Sequence, residues 1–165
     1  MKMSEALESA INKQINAEMY SSYLYLSMAA YLESENYKGM AQWMHAQAQE
    51  ENTHARKFYG YVFERDGRVI LDAIGKPASD WDSVQAVFED ALKHEQKVTA
   101  MINKLADQAD KDGDRAADIF LQWFINEQVE EESTVQEIVD RMKMFGNVPQ
   151  ALYMLDRELG QRGQA

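Results

Sequence analysis

A formal charge of −11, from 28 acidic and 17 basic residues, distinguishes this chain of 165 residues, which contains no cysteine. Its length fits one domain with a sizeable core, and the absence of cysteine excludes disulfides and thiolate metal sites. The negative charge argues against nucleic acid or an anionic membrane surface as the main partner, because both need clustered positive charge.

Four long helical segments are predicted, because strong helix formers dominate the sequence and only two prolines interrupt it. They span about residues 5–33, 37–65, 83–110 and 115–145. Ser4 is the predicted N-cap of the first, and turn residues separate the others. A short fifth helix is predicted at 149–159, since proline suits a first helical turn. The sequence therefore predicts an all-α fold.

The connection lengths predict a bundle with one long crossover. Helices one and two, and helices three and four, are joined by a few residues only, so each pair should be antiparallel. About 17 residues, 66–82, separate helices two and three, and such a segment can extend over roughly 55 Å. A helix of about 29 residues spans about 44 Å. The connection can therefore run the length of the bundle and start helix three parallel to helix two.

Each long helix carries one glutamate on an otherwise apolar line. Residues 7 or 11 positions apart lie within about 20° of one another on an α-helix. The four lines are Leu7, Ile11, Glu18 and Tyr25; Met40, Met44, Glu51, Phe58 and Val62; Val84, Phe88, Glu95 and Ile102; and Phe120, Phe124, Glu131, Ile138 and Met142. Because apolar lines face the core, all four glutamates should be buried. Their positions along the helices also match, so we expect one cluster of four carboxylates near mid-bundle.

Four buried carboxylates need compensating positive charge, because a single unpaired buried charge already costs several kcal/mol. No lysine or arginine lies on the four lines, whereas two divalent cations would cancel the charge. Glu51 and His54 are three residues apart, so both can reach one metal ion. This pattern, with glutamates from the other helices, is how carboxylate-bridged di-iron sites are built in bundles.

At this point the sequence resembles the ferritins, in particular the prokaryotic non-haem ferritins. The resemblance covers nearly the whole chain and rests on residues 14–18 (QINAE), 23–28 (YLYLSM), 50–55 (EENTHA), 81–83 (WDS), 120–124 (FLQWF) and 127–132 (EQVEEE). It implies a single ferritin-like domain over 1–165. The helical bundle would occupy 5–145 and the short C-terminal helix 149–159.

The resemblance also implies a ligand set for a ferroxidase centre. Glu18, Glu51 and His54 would hold one iron ion, and Glu51, Glu95 and Glu131 would hold a second, with Glu51 as the bridge. Two iron ions per chain would therefore bind at this centre.

Further residues match positions around the family's di-iron centre. Gln128 would hydrogen-bond to metal-bound water or oxygen, and Tyr25 could supply an electron, although core packing is the commoner role of such a tyrosine. A third, weaker iron site would use Glu50, Glu127 and Glu130, with Glu131 shared. A solvated acidic face is an equally good interpretation of those three residues from sequence alone. His45 and His94 match no ligand position, and we interpret both as surface or packing residues.

The function implied by the resemblance is iron storage and detoxification. A ferroxidase would oxidise Fe(II) with dioxygen or hydrogen peroxide, and the ferric mineral would collect inside a homo-oligomeric cage, of 24 subunits in most relatives. No haem is expected, because bacterioferritins place a methionine after the bridging glutamate and a histidine at the end of the second motif. Asn52 and Glu131 occupy those positions here. With no signal peptide or apolar membrane span in the sequence, we expect a cytoplasmic protein.

Other classes of protein fit less well. DNA-protecting relatives lack the fifth helix and often carry a basic tail, and rubrerythrin-like peroxidases need a cysteine-bound iron. A non-storage di-iron or di-manganese oxidase or peroxidase acting on a small substrate is the main alternative. Such enzymes usually carry two E-x-x-H motifs, whereas the second motif here runs from Gln128 to Glu131. A metal-free adaptor bundle would require all four core glutamates to be accidental.

Overall fold

The computed structural model describes residues 1–162, and these contain five α-helices and no strand. The helices are α1 Glu5–Ser34, α2 Lys38–Glu64, α3 Val84–Lys111, α4 Arg115–Phe145 and α5 Pro149–Leu159. The predicted all-α class is confirmed, and the helix ends lie within about one residue of the predicted ones. Within the described residues, no helix combines the length and apolar character needed to cross a bilayer.

Polar side chains fix where three of the long helices begin. Ser4 Oγ accepts from the backbone N–H of Leu7 at 3.0 Å, and Ser83 Oγ accepts from that of Ala86 at 3.1 Å. At the start of α4, Asp114 Oδ1 accepts from the backbone N–H of Ala117 at 3.1 Å. These N-caps satisfy amide groups that have no partner inside the helix.

The long connection between α2 and α3 lies along α1 from one end of the bundle towards the other. Asn12 Nδ2 donates to the Arg68 carbonyl at 3.0 Å, and Tyr31 Oη donates to the Trp81 carbonyl at 2.8 Å. Because Trp81 reaches the C-terminal end of α1, α3 starts at the same end of the bundle as α2. The predicted crossover and the parallel direction of α2 and α3 are therefore confirmed.

The apolar core consists of two clusters, with polar residues between them. One cluster contains the C-terminal half of α1 and the N-terminal halves of α2 and α3, and the other contains the opposite halves. Every long helix passes from one cluster to the other, and its core glutamate lies at the change. The buried polar residues at this level are Gln14, Glu18, Ser21, Gln47, Glu51, His54, Glu95, Gln128 and Glu131. The two clusters thus enclose a polar layer at mid-bundle.

The short helix α5 is held against the start of α2 by close backbone contact. A Cβ atom on Gly39 would lie 1.8 Å from the Asp156 carbonyl oxygen, so only glycine permits this approach. The N-cap of α2, Tyr37, makes no side-chain capping bond, and Asp156 Oδ1 instead accepts from the Met40 N–H at 2.8 Å. A carboxylate from α5 therefore caps α2 and fixes the position of the C-terminal segment.

Candidate metal centre

Four glutamates, one from each long helix, meet in the polar layer. Between 0 and 7% of the surface of Glu18, Glu51, Glu95 and Glu131 is exposed. His54, one turn after Glu51 on α2, is buried beside them. Each side chain points inward because it lies on the apolar line of its helix.

The donor atoms of these residues form two groups that share Glu51. The first group consists of Glu18, Glu51 and His54, and the second consists of Glu51, Glu95 and Glu131. Within each group the ligand atoms lie within 4.8 Å of one another. His54 Nδ1 lies 3.4 Å from Glu51 Oε2 and 4.0 Å from Glu18 Oε2. The arrangement offers two adjacent metal positions with one carboxylate between them.

Three glutamines hold three of the carboxylates in place. Gln14 Nε2 donates to Glu18 Oε1 at 2.7 Å, and Gln47 Nε2 donates to Glu131 Oε2 at 2.5 Å. Gln128 Nε2 donates to Glu95 Oε2 at 3.1 Å and to Thr99 Oγ1 at 3.1 Å. Such hydrogen bonds from neighbouring side chains orient the ligands of metal sites before metal arrives.

Two carboxylate oxygens of the centre are buried in the core without a hydrogen-bond donor. Glu18 Oε2 and Glu51 Oε1 have no hydrogen-bond partner within residues 1–162. Among the ion pairs of the same residues, none joins a lysine or arginine to the four core glutamates. Buried oxygens without partners are costly. The donor set therefore fits a pair of cations that prefer oxygen ligands and accept one imidazole.

Burial raises the pKa of every glutamate in the centre, and repulsion from a neighbouring glutamate adds to it. For Glu18 and Glu51, burial is the largest cause, followed by the charge of a neighbouring glutamate. Burial also raises the pKa of Glu95, and burial and the Glu95 charge raise the pKa of Glu131 to about 7. Protons therefore compete with metal ions for these carboxylates.

Tyr25 lies in this layer as well, fully buried, with its hydroxyl donating to Glu95 Oε1. Its ring meets the His94 ring edge-on, with 6.2 Å between centroids. His94 also hydrogen-bonds to Ser21 Oγ at 2.7 Å, and burial lowers the pKa of His94 to about 4. His94 is thus a packing residue, whereas His45 is exposed.

The residues predicted for a third iron site are only partly brought together. Glu127 joins His54 and Glu131 in a third group of potential ligands. Glu50 instead forms an ion pair with Arg162. Glu130 is exposed and belongs to none of the ligand groups found within residues 1–162.

Two functional neighbours were not predicted from the sequence, Gln14 and Gln47. Each lies four residues before a core glutamate, so helical spacing alone placed it one turn away on the same face. Neither residue lies 7 or 11 positions from its core glutamate, so neither belongs to the apolar line of its helix. A polar residue four positions before a core glutamate is therefore the sequence signal that would have identified both.

The chain is similar to known proteins over nearly its whole length. The family model described as a ferritin-like domain matches residues 8–145. The chain belongs to the ferritin family. A ferritin from Bacteroides fragilis described as bacterial non-heme ferritin is 43% identical over 160 residues, covering 97% of this chain and 99% of the relative. One of the same description from Staphylococcus epidermidis is 38% identical, covering 97% and 96%.

Solved ferritin structures match the fold over almost its full length. An open pore ferritin from the hyperthermophilic archaeon Archaeoglobus fulgidus superposes with a TM-score of 0.96 at 48% identity, covering 97% of this chain and 98% of that one. An engineered closed form of the Archaeoglobus fulgidus ferritin gives the same TM-score at 47% identity, covering 98% of each chain. The ferritin fold predicted from the motifs is thereby confirmed.

Proposed function

We propose that the chain is a ferroxidase and iron-storage subunit. It binds two Fe(II) ions per chain as substrate, oxidises them with dioxygen or hydrogen peroxide and deposits ferric mineral inside a homo-oligomeric cage. The observation that carries this proposal is the pair of three-ligand groups joined by Glu51. Membership of the ferritin family supports the iron-storage role.

The two metal positions differ in ligand chemistry. Glu18, His54 and one oxygen of Glu51 supply the first, and Glu95, Glu131 and the other oxygen of Glu51 supply the second. Carboxylates are hard ligands that favour Fe(III) over Fe(II), so they promote loss of an electron. Typical two-metal sites hold their ions roughly 3.5–4 Å apart. At such a spacing, two ferrous ions can deliver two electrons to one oxidant molecule.

Loading with iron releases the protons held by the centre. Fe(II) displaces protons from the carboxyl groups because a ligand must be deprotonated to bind. For Glu131, whose pKa is raised to about 7, this release should be measurable near neutral pH. The released protons are available to the reduced oxidant.

Tyr25 and Gln128 act beside the metals in this proposal. If Tyr25 gives up an electron, its phenol proton has an acceptor already in place, because the hydroxyl donates to Glu95. Gln128 keeps Glu95 oriented through the 3.1 Å hydrogen bond. With metal bound, its amide could turn to metal-bound water or oxygen. A third iron position would use Glu127 and the shared Glu131, together with Glu50 and Glu130.

The decisive experiment is aerobic Fe(II) addition to the assembled protein. Rapid oxidation should saturate at two irons per chain, and Glu51→Ala or His54→Ala should slow that phase by roughly 100-fold or more, because each removes a metal ligand. Glu64→Ala and His45→Ala are matched controls on the same helix, since both residues are exposed. Unchanged rapid phases in the first two variants would overturn the assignment.

Assembly separates storage from the alternative, a non-storage oxidase. A cage of 24 chains of 19.0 kDa would elute near half a megadalton, whereas the alternative predicts a small oligomer. The solved relatives named as open pore and closed ferritins support cage formation.

Purified protein should lack a haem absorbance band, as Asn52 follows Glu51. The proposed location is the cytoplasm, and neither nucleic acid nor a membrane is needed as a partner.

A further inference from the structure

Arg162, three residues after the end of α5, places its guanidinium group against α2 beside the metal centre. Nη1 donates to Gln47 Oε1 at 2.8 Å, and Nη2 donates to Glu50 Oε2. The guanidinium carbon lies 4.6 Å from the centroid of the Trp43 ring. The guanidinium group therefore hydrogen-bonds to two polar side chains of α2 and stacks on the ring of Trp43.

This position follows from the docking of α5. The contact between Gly39 and the Asp156 carbonyl, and the bond from Met40 N–H to Asp156 Oδ1, fix α5 at the start of α2. Residues 160–162 then bring the side chain of Arg162 alongside the second to fourth turns of α2. Arg162 reaches Gln47 and Glu50 from there without entering the bundle.

The contacts of Arg162 lead directly to the ligands. Because Gln47 Oε1 accepts from Arg162, the amide nitrogen of Gln47 faces Glu131 and donates to it at 2.5 Å. Glu50 precedes the bridging Glu51 and is a residue proposed for the third iron site. A guanidinium group stays protonated at all ordinary pH values, so it cannot leave Glu50 by losing its proton.

We propose that Arg162 is an internal counter-ion that competes with metal for Glu50 and so weakens the third site. This inference rests on the proposed function, because Glu50 matters here as a metal ligand. In the resting protein Arg162 supplies the positive charge that a third cation would otherwise bring. A metal ion binds Glu50 only when Arg162 swings away.

The surroundings leave room for that movement. The side chains of Arg162 and Glu50 are 26% and 45% exposed. Arg162 also borders a surface cleft of about 450 Å³ that includes His45, Gln49 and Asn52. A displaced guanidinium group can therefore turn into solvent without unpacking the core.

The test is calorimetric titration of the assembled, metal-free protein with Zn²⁺, which binds oxygen and imidazole ligands without redox chemistry. We expect two tight sites per chain and a weaker third in the wild type. Arg162→Gln should tighten the third site roughly three- to ten-fold, the size expected for loss of a partly exposed ion pair. Arg162→Lys keeps the positive charge and should leave the third site within about two-fold of the wild type.

Two further variants separate competition from loosening of α5. Arg141→Gln removes the 2.7 Å pair between Arg141 and Glu158, which holds α5 without touching Glu50, and should not change the third site. In a Glu50→Gln background, Arg162→Gln should give no gain. The inference is overturned if Arg162→Gln leaves the third site as it was, if Arg162→Lys or Arg141→Gln tightens it equally, or if the gain persists without Glu50. If the titration of the wild type shows no pair of tight sites, that result would instead count against the proposed function.

Discussion

Two groups of charged side chains with little solvent exposure lie in this bundle, one at its end and one at its centre. At the end, Arg65 donates to Asp114 Oδ2 at 2.6 Å, to the Met1 carbonyl at 2.8 Å and to the Tyr61 hydroxyl. At the centre, four carboxylates share a single imidazole, and Glu18 Oε2 and Glu51 Oε1 have no hydrogen-bond partner within residues 1–162. The first group is neutralised by the chain itself, whereas the second is not.

The difference separates a structural ion pair from a binding site. A buried charge with a partner of opposite sign connects helices, here the end of α2 and the start of α4. A cluster of like charges raises the free energy of the folded state and is tolerable only with protons or cations bound. The surplus of negative charge at the centre therefore indicates a cation ligand, and metal, pH and mutation should affect the two groups differently.

Metal should produce the largest effect, and only at the centre. At a free Zn²⁺ concentration of about 100 times Kd, each site adds about 2.7 kcal/mol to the free energy of unfolding, or about 5 kcal/mol for two sites. Denaturant unfolding with and without Zn²⁺ measures this gain. Asp114→Asn should retain it, and Glu51→Ala should lose most of it. An equal gain in Glu51→Ala would show that the metal binds elsewhere.

Raising the pH should weaken the metal-free protein through the same centre. Burial raises the pKa of Glu131 from 4.5 to about 7, so between these values the folded state holds a proton that the unfolded chain has released. The associated stability is present below about pH 4.5 and is lost as the pH rises through about 7, amounting to on the order of 3 kcal/mol.

The difference between the wild type and Glu131→Gln isolates this effect from other titrating groups. His94 in particular acts in the opposite sense, since burial lowers its pKa to about 4 and protonation below about pH 6.5 favours the unfolded chain. Unfolding measured from pH 4.5 to 8 should give a smaller loss in Glu131→Gln. Parallel curves for the two proteins would contradict the raised pKa.

Removing one charge from each group should give shifts of opposite sign in the metal-free protein. Asp114→Asn leaves Arg65 with a weaker partner and should lower the free energy of unfolding by about 2–3 kcal/mol. Glu51→Gln removes one of four mutually repelling carboxylates and should raise it by about 1 kcal/mol. Denaturant unfolding of both variants measures the contrast. A loss of stability in Glu51→Gln above pH 7 would contradict the view of the centre as strained without metal.

The main features of the centre follow from local patterns in the sequence. Glu18, Glu51, Glu95 and Glu131 each lie on an apolar line, and helical geometry converts that spacing into a direction in space. Their similar heights depend on connection lengths, which are also local. The residues that support them are harder to predict, because Gln14 and Gln47 do not lie on the apolar lines and a glutamine on a helix is usually a surface residue.

The five helices, the crossover and the burial of four glutamates can be predicted from sequence alone, because helix periodicity and turn residues act over short distances. Packing of the helices determines which residues far apart in the chain become partners. The pair between Arg162 and Glu50 joins residues 112 positions apart, and the docking of α5 on Gly39 brings them together. Such pairings depend on how finished helices pack, since close backbone contact and a shared charge leave no periodic mark in the chain.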